Sequence, residues 1–195
     1  ADPFILLEPG GYMDVTNACY KPINKRKVRV EGATWHPSKI YNVKLEGARI
    51  VGYQTSLLVL LRDNNYVQNV KEWTEKLSKF LKKEIKLRMK LNTSDYSLDF
   101  RHIGLNSTLG ELEKNEGNPI EIGVLCIVTS KRNKLSTEIA KLINPFLLHF
   151  PLTIDEELPT FAFPYSPVHS DRGCVYVISL NHLLELINPM DVCVM

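Results

Sequence analysis

Long apolar runs and an excess of one charge are both missing from this 195-residue chain. The apolar stretch SLLVLL, residues 56–61, is far shorter than the roughly 18 residues that a membrane-spanning helix needs, and the first residues do not read as a secretory signal. Lys and Arg number 24 against 22 Asp and Glu. A balance this even creates no global field for nucleic acid or anionic lipid. We therefore expect a cytoplasmic protein that binds neither membranes nor nucleic acid.

Paired cysteines and metal-ligand motifs are missing as well. Cys19, Cys126, Cys174 and Cys193 are scattered, without a CxxC or a spaced His pair, so we predict buried free thiols and neither a zinc site nor a disulfide framework. The dispersed histidines and the acidic run at 155–157 lack helical or hairpin ligand spacing. The sequence thus predicts no metal site, and no motif signals a cofactor.

Hydrophobic residues make up 44% of the chain, which is enough to bury a normal core. Their spacing predicts helices where apolar residues recur every three or four positions, and strands where they alternate or run together. The predicted strands are residues 27–34, the end of 40–63, 85–92 as an edge strand, 119–130, and 174–188 with a turn into a helix or loop near Asn181. The predicted helices are 66–84, capped by Asp63 or Asn64, and 134–143, which Pro145 should kink or end.

These elements predict an α+β fold, a two-layer sandwich in which two main helices pack on a mixed, mostly antiparallel sheet. We expect residues 1–195 to form a single domain, with residues 92–118 as an irregular excursion because that stretch has no sustained period. The chain opens in loop-forming sequence without an initiator Met. Two explanations stay open: a piece of a longer protein, or a vector-derived leader.

Several stretches together resemble the C-terminal part of the acyclic terpene utilisation (AtuA) family. They are LEPGGYMDVTNACY, VRVEGATWHPSKIYNVKLEGARIVGYQTS, LLRD, IEIGVLCIVTS, LLHFPL, FAFPYSP and VYVISLNHLLELINPMDV. The resemblance covers most of the chain apart from about residues 92–118. It implies a partner, an N-terminal AtuA-like domain or subunit, and a setting in the breakdown of terpenes or branched acids through acyl-CoA intermediates. It implies no particular reaction.

One proline-rich and ring-rich segment, residues 148–173, is the main candidate for a binding site. Its prolines restrict the backbone, so the loop loses little entropy when it becomes ordered. The candidate ligand-binding residues are the polar groups that this loop positions, together with the pair that closes the central strand: Arg62, Asp63, His149, Tyr165, Ser166, His169 and Arg172. In the functional interpretation, the loop forms a pocket wall whose Arg172 and His169 meet an anion. The alternative is a loop that covers a sheet edge or docks the N-terminal domain, with Arg62 and Asp63 only capping the strand.

Ser166, His169 and Asp171 match no nucleophile elbow, so catalytic residues stay unassigned and enzyme activity stays open. The lysine-rich surface at 76–90 predicts a solvated face, because aromatic interleaving is missing. Two functions remain. The chain is an accessory or interaction domain of an AtuA-like catabolic protein, with homo-oligomerisation as one form of contact, or it is an enzyme domain that binds an acyl-CoA or branched carboxylate.

Overall fold

The computed structural model of the chain describes residues 4–114, 117–155, 158–186, 188 and 190. The described strands are β1 (Ile5–Glu8), β2 (Gly11–Asp14), β3 (Cys19–Asn24), β4 (Lys27–Glu31), β5 (Thr34–Pro37), β6 (Asn42–Leu61), β7 (Tyr96–Ile103), β8 (Ile122–Ser130), β9 (Phe161–Ala162) and β10 (His169–Glu185). The helices are α1 (Asn64–Gln68), α2 (Val70–Met89) and α3 (Leu135–His149), with a short 3-10 helix at Gly110–Leu112. Among these described residues no helix has the length and apolarity to cross a bilayer.

The contacts divide the chain into two compact units, where the sequence predicted a single domain. The first unit combines residues 1–49 with 176–195, and the second is residues 50–175. The main sheet has the strand order β10-β6-β8-β7, with β9 beside β6. Strands β6 and β7 both pair antiparallel with β8. The predicted α+β class, a sheet that carries two main helices, is confirmed.

The core of the second unit lies between one face of the sheet and helices α2 and α3. Alternate residues of β6 and β8 are buried on that face, because successive side chains of a strand point to opposite sides. The helices meet them with fully buried side chains at helical spacing: Trp73, Leu77, Leu81 and Ile85 from α2, and Ile139, Ile143 and Leu147 from α3. The central strands predicted from the apolar runs at 56–61 and 119–130 are thereby confirmed.

The helix predicted at 66–84 is present as two helices, α1 and α2, which are separated at Asn69, and α2 corrects the predicted strand at 85–92. Asp63 caps α1, where its carboxylate accepts hydrogen bonds from the backbone N–H of Asn65 and Tyr66. Helix α2 then continues to Met89 and ends at Lys90, whose φ of 58° is left-handed. Ile85 follows Leu81 by four residues and extends the same buried stripe. The alternation after Glu84 fits a strand equally well, but nothing in the sequence breaks the helix there.

Strand β7 corrects the prediction that residues 92–118 are irregular. Tyr96, Leu98, Phe100 and His102 alternate along it and face the core side of the sheet. The strand pairs along its length with β8 and forms one edge of the sheet. Its alternation is difficult to recognise in the sequence because the buried His102 is polar and the exposed Ile103 is apolar.

Two further boundaries differ from the prediction. Helix α3 continues through Pro145 to His149, because it buries side chains on both sides of the proline and this packing outweighs one lost backbone donor. Strand β10 continues through Asn181 to Glu185, so the expected helix or loop near Asn181 is wrong. Apolar residues stand at alternate positions from Tyr176 to Leu180, and this period favours an extended chain.

The first unit is built from short antiparallel strands. Strands β1, β2 and β5 form a three-stranded sheet, and β3 pairs with β4 in a separate two-stranded ribbon. Buried Asn42 accepts a hydrogen bond from the backbone N–H of Gly10 at 2.8 Å. The strand predicted within 27–34 is present as β4. The sequence predicted that one face of this strand would be buried against a core, but the strand is exposed on both faces except at Glu31.

Candidate functional site

A cavity of about 700 Å³ lies on the face of the main sheet that α2 and α3 leave uncovered. Its lining residues all belong to the second unit. They come from β6, β7 and β8 and from the ring-rich segment that leads into β10: Gln54, Ser56, Leu58, Ile103, Leu125, Ile127, Tyr165, Pro167, Val168, His169, Ser170 and Arg172. The sheet supplies a floor, and the ring-rich segment supplies a wall.

The floor is apolar at its centre and polar at one end. Leu58 lies directly opposite Leu125 in the β6–β8 pair, and Ser56 lies opposite Ile127. At the polar end, the side-chain amide of Gln54 donates to the Thr129 hydroxyl at 3.1 Å. These residues alternate with the buried core residues, so each strand serves both the core and the cavity.

Gly123 allows the apolar side chains of the floor to come together above β8. A Cβ atom at this position would lie 3.3 Å from Cβ of Ile103 and 3.5 Å from Cδ1 of Leu58. The absence of a side chain therefore lets a residue of β7 and a residue of β6 approach each other above the sheet. Any larger residue at 123 would push Ile103 away and change the shape of the floor.

The wall of the cavity is held by β9 and by prolines. Phe161 pairs with Leu61 of β6, and the backbone N–H of Arg62 donates to the Thr160 carbonyl at 3.0 Å. Beyond this anchor the segment turns through Pro164 and Pro167, and the Ser166–Pro167 peptide bond is cis. Each proline fixes its own φ, so the residues that follow are presented to the cavity on a restricted backbone.

The permanent charge in the described lining of the cavity is positive. Arg172 is the only residue carrying a permanent charge in the described lining, which contains neither Asp nor Glu. Among the described residues Arg172 has no ion-pair partner. Its neighbour Asp171 is engaged elsewhere and accepts a hydrogen bond from the backbone N–H of Gly173 at 2.8 Å. The cavity therefore presents an uncompensated cation beside an apolar floor, which favours an anion with an apolar body.

The structure brings some of the predicted ligand-binding residues together and separates the others. Tyr165, His169 and Arg172 line the cavity. Ser166 is exposed within the wall segment, and it is not among the lining residues. His149 is exposed in the last turn of α3.

The predicted pair after the central strand lies at a different place. Arg62 lines a separate cavity of about 410 Å³, and its guanidinium donates to the Ile120 carbonyl at 3.1 Å. Asp63 is the helix cap. Hence Arg62 and Asp63 do not share a cavity with Arg172, and the two arginines can be tested independently.

The floor residues were not predicted, although a signal for them exists. Within residues 54–61 of β6 and 124–130 of β8, every second residue, out of phase with the buried ones, is only partly buried. A strand with apolar residues on both faces needs a cover on each. In β6 and β8 the second cover is the ring-rich wall, so the phase of the alternation identifies Leu58, Leu125 and Ile127.

A second cleft of about 670 Å³ lies between α2, β7 and the residues after β7. Here buried Thr74 and buried His102 lie within hydrogen-bonding distance, 3.1 Å between Oγ1 and Nε2. The cleft mixes cations with acids, among them Arg101 and Asp99, which pair with each other at 3.1 Å. Its lining contains Lys71 and Arg101 against Glu75, Asp99 and Glu111, so it presents both signs of charge and no isolated cation.

Neither a catalytic triad nor a metal centre is assembled in the described part of the chain. No hydrogen bond joins Ser166, His169 and Asp171 there. Likewise, no three His, Cys, Asp or Glu side chains come together at a metal-binding distance within those residues. Of the acidic run at 155–157, Glu156 and Glu157 lie outside the described residues.

The cysteines only partly match the prediction of buried thiols. Cys126 is buried in β8, Cys174 is partly buried, and Cys19 is exposed, which corrects the prediction for that residue. Cys193 lies outside the described residues. Burial raises the pKa of the Cys126 thiol far above its ordinary value, because the charged thiolate loses its hydration in the core.

Alkylation under native conditions is expected to separate these thiols by rate. The reactive species is the thiolate, so iodoacetamide at pH 8 should label Cys19 quickly and Cys126 only after unfolding in urea. Peptide mass mapping of a time course measures both rates in one sample. Equal rates for Cys19 and Cys126 in the folded protein would contradict the position of β8 in the core.

Comparison with known proteins found no matching family model, no matching curated protein and no matching solved structure. The resemblance to the AtuA family therefore stays a prediction from the sequence.

Proposed function

We propose that this domain binds a carboxylate with a branched apolar tail in the cavity over the second face of the main sheet. The observation that carries the proposal is the charge of the cavity, where Arg172 is the only permanently charged residue in the described lining and the centre of the floor is made of Leu and Ile side chains. Such a site favours a ligand that combines one negative charge with a hydrocarbon body. A cationic ligand would be repelled by Arg172.

The size of the cavity sets the class of ligand. Small-molecule sites occupy roughly 300–1,000 Å³, and about 700 Å³ accommodates a medium-length acid. Branching suits the floor because Leu58, Leu125 and Ile127 form a broad surface rather than a narrow channel. The cavity is open on one side, so a thioester could place its acyl part on the floor and leave the coenzyme outside.

The resemblance to the AtuA family supports this ligand class independently of the geometry. It suggests breakdown of terpenes or branched acids through acyl-CoA intermediates, in the cytoplasm. A branched acid, or the acyl part of its CoA thioester, fits both the cavity and the ligand class that the resemblance suggests. The proposal covers binding only and assigns no reaction to the cavity.

A thermal-shift screen of the whole chain tests this proposal. A ligand that binds only the folded state, present at 100 times its Kd, stabilises that state by about 2.7 kcal/mol, which corresponds to a midpoint shift of roughly 5–10 °C at this chain length. We expect the shift with branched acids and their CoA thioesters. The matched control is an amine with the same tail, which should give none. Equal shifts from acid and amine would refute the anion preference, and no shift from any acid would refute binding.

A second candidate function, an accessory domain that docks an AtuA-like N-terminal domain or subunit, is favoured by a different observation. Tyr165 is 61% exposed and Phe161 is 36% exposed on the ring-rich wall, although aromatic side chains gain much from burial. A partner that covers these rings would also close the open side of the cavity. If no acid binds the isolated chain but one binds in the presence of that partner, the docking function is the better account.

A further inference from the structure

His169 is the only histidine in the described lining of the cavity that also contains Arg172. Its side chain is half-buried at the start of β10. The residue before it, Val168, packs against the core, and Pro167 restricts the backbone one residue earlier. The imidazole is therefore held at the wall of the cavity. Imidazole is the side chain that ordinarily gains or loses its charge between about pH 5 and 8.

The described lining contains no acid that could neutralise a charge on this imidazole. The floor strands β6, β7 and β8 contribute no ionisable side chain to it. Besides His169, the wall contributes Arg172 and Tyr165, and a phenol carries no charge in this pH range. Asp171, the nearest acid in sequence, is outside the described lining and accepts a hydrogen bond from the backbone N–H of Gly173.

Two further charged groups lie on the same face of the sheet, at its β7 edge. Arg101 is directly opposite Leu125, and Asp99 is directly opposite Ile127. They pair with each other at 3.1 Å and neither lines the cavity. Since their charges are opposite and adjacent, they add little to the field inside it.

A carboxylate anywhere in this cavity interacts with both wall residues, Arg172 and His169. A cavity of about 700 Å³ is on the order of 10 Å across, which is also about the Debye length in 0.1 M salt. A bound anion therefore favours the protonated imidazole, and a protonated imidazole favours binding of the anion to the same extent, because such coupling is reciprocal. Affinity for an anion is highest at low pH and falls as the imidazole loses its proton.

We propose that His169 is a second, proton-dependent anion-binding residue of this cavity, so that the domain takes up a branched acid together with a proton. This inference rests on the proposed function, because it concerns the same ligand and the same site. The proton comes from the solvent, resides on the imidazole while the acid is bound, and returns to the solvent when the acid leaves. A rise in pH thus promotes release of the ligand.

Calorimetric titration of the whole chain with isooctanoate, a medium-length branched acid, at about pH 6 and about pH 8 tests this coupling. A simple carboxyl group titrates near pH 4, so the charge of the ligand itself changes little between the two conditions. We expect the affinity to be about threefold to tenfold higher at the lower pH. Isooctanol has the same tail without the charge and should not show this increase.

Variants identify the titrating group. His169→Gln stays polar but cannot gain a charge, so its affinity should no longer rise at the lower pH. The matched control is His149→Gln, because His149 is exposed in the last turn of α3 and is outside the described lining. It should keep the full pH dependence. Arg172→Gln should bind more weakly at both pH values and still bind more tightly at the lower one.

A second measurement uses the unmodified protein and so does not depend on how the variants fold. Titrations at about pH 7 in two buffers of different ionisation enthalpy should show net uptake of a fraction of one proton per isooctanoate. Equal affinity at both pH values or absence of proton uptake would overturn this inference and leave the proposed function intact. Uptake that persists in His169→Gln would assign the proton to another group and overturn it as well. No binding at either pH would overturn both proposals.

Discussion

Replacing Trp73 by alanine is expected to lower the free energy of unfolding by about 3–5 kcal/mol, the range for large-to-small changes of buried aromatic residues. Trp73 is fully buried in α2 and makes an edge contact with Tyr66. Its indole N–H donates to the Phe150 carbonyl at 2.8 Å. The substitution removes packing volume and also leaves that carbonyl without its donor. Trp73 thus holds α2 against the segment that leaves α3.

Urea unfolding followed by far-UV circular dichroism measures the loss, and the second tryptophan provides the control. Trp35 is 44% exposed in β5, so Trp35→Ala should lower the free energy of unfolding by clearly less than Trp73→Ala. Trp73→Phe keeps most of the ring volume and should cost less than Trp73→Ala. A similar cost for Trp35→Ala and Trp73→Ala would mean that the core is not organised around α2.

Replacing Arg172 by alanine is expected to weaken binding of a branched acid about tenfold. A hydrogen bond to a charged group contributes about 1.5–3 kcal/mol in a dry site, and the exposure of Arg172 reduces this through screening. The ionic contribution should also make affinity for the unmodified chain fall as salt rises. Arg172→Ala removes most of that salt dependence, because the remaining lining carries no permanent charge.

Calorimetric titration at low and high salt measures both effects. Arg62→Ala is the matched control, since Arg62 lies in a different cavity and donates to the Ile120 carbonyl. It should leave affinity for the acid unchanged. An equal loss for Arg62→Ala and Arg172→Ala would contradict the separation of the two cavities, and unchanged affinity for Arg172→Ala would remove the cation from the binding site.

The local sequence pattern was sufficient to predict the elements at the centre of the fold. The near-continuous apolar runs of β6 and β8 identify central strands, because a strand buried on both faces cannot alternate. The stripe of α2 identifies its buried side, and the Asp63 cap follows from residue type and position. These features depend on neighbours in sequence, which the sequence displays directly.

Features that depend on competition between elements were not predictable in the same way. The residues after Glu84 satisfy both a helical and a strand period, and only the packing of Ile85 beneath the sheet decides between them. Strand β7 is specified largely by its pairing with β8, which lies about twenty-five residues further along the chain. Pro145 penalises a helix locally, but α3 is retained by its buried face.

The candidate binding residues were likewise predictable from the sequence only in part. The ring-rich segment was identified from composition, and Tyr165, His169 and Arg172 line the cavity as expected. Arg62 was grouped with them because strand ends commonly carry functional residues. Which side of the sheet each loop reaches depends on the path of the chain through β9, and this path has no local sequence signal. The floor residues Leu58 and Leu125 likewise become a site only once the wall lies over them.

The most direct test of the proposed ligand site is methyl NMR of the whole chain, labelled at Ile, Leu and Val, during titration with a branched acid. We expect the largest shift changes at Leu58, Leu125 and Ile127 on the cavity floor. The adjacent residues Leu57 and Val124 face the helix-covered side and should change little, although each is next in sequence to a floor residue. Shift changes that are largest on the helix-covered face or in the other cavities, or none at saturating acid, would contradict the proposed function.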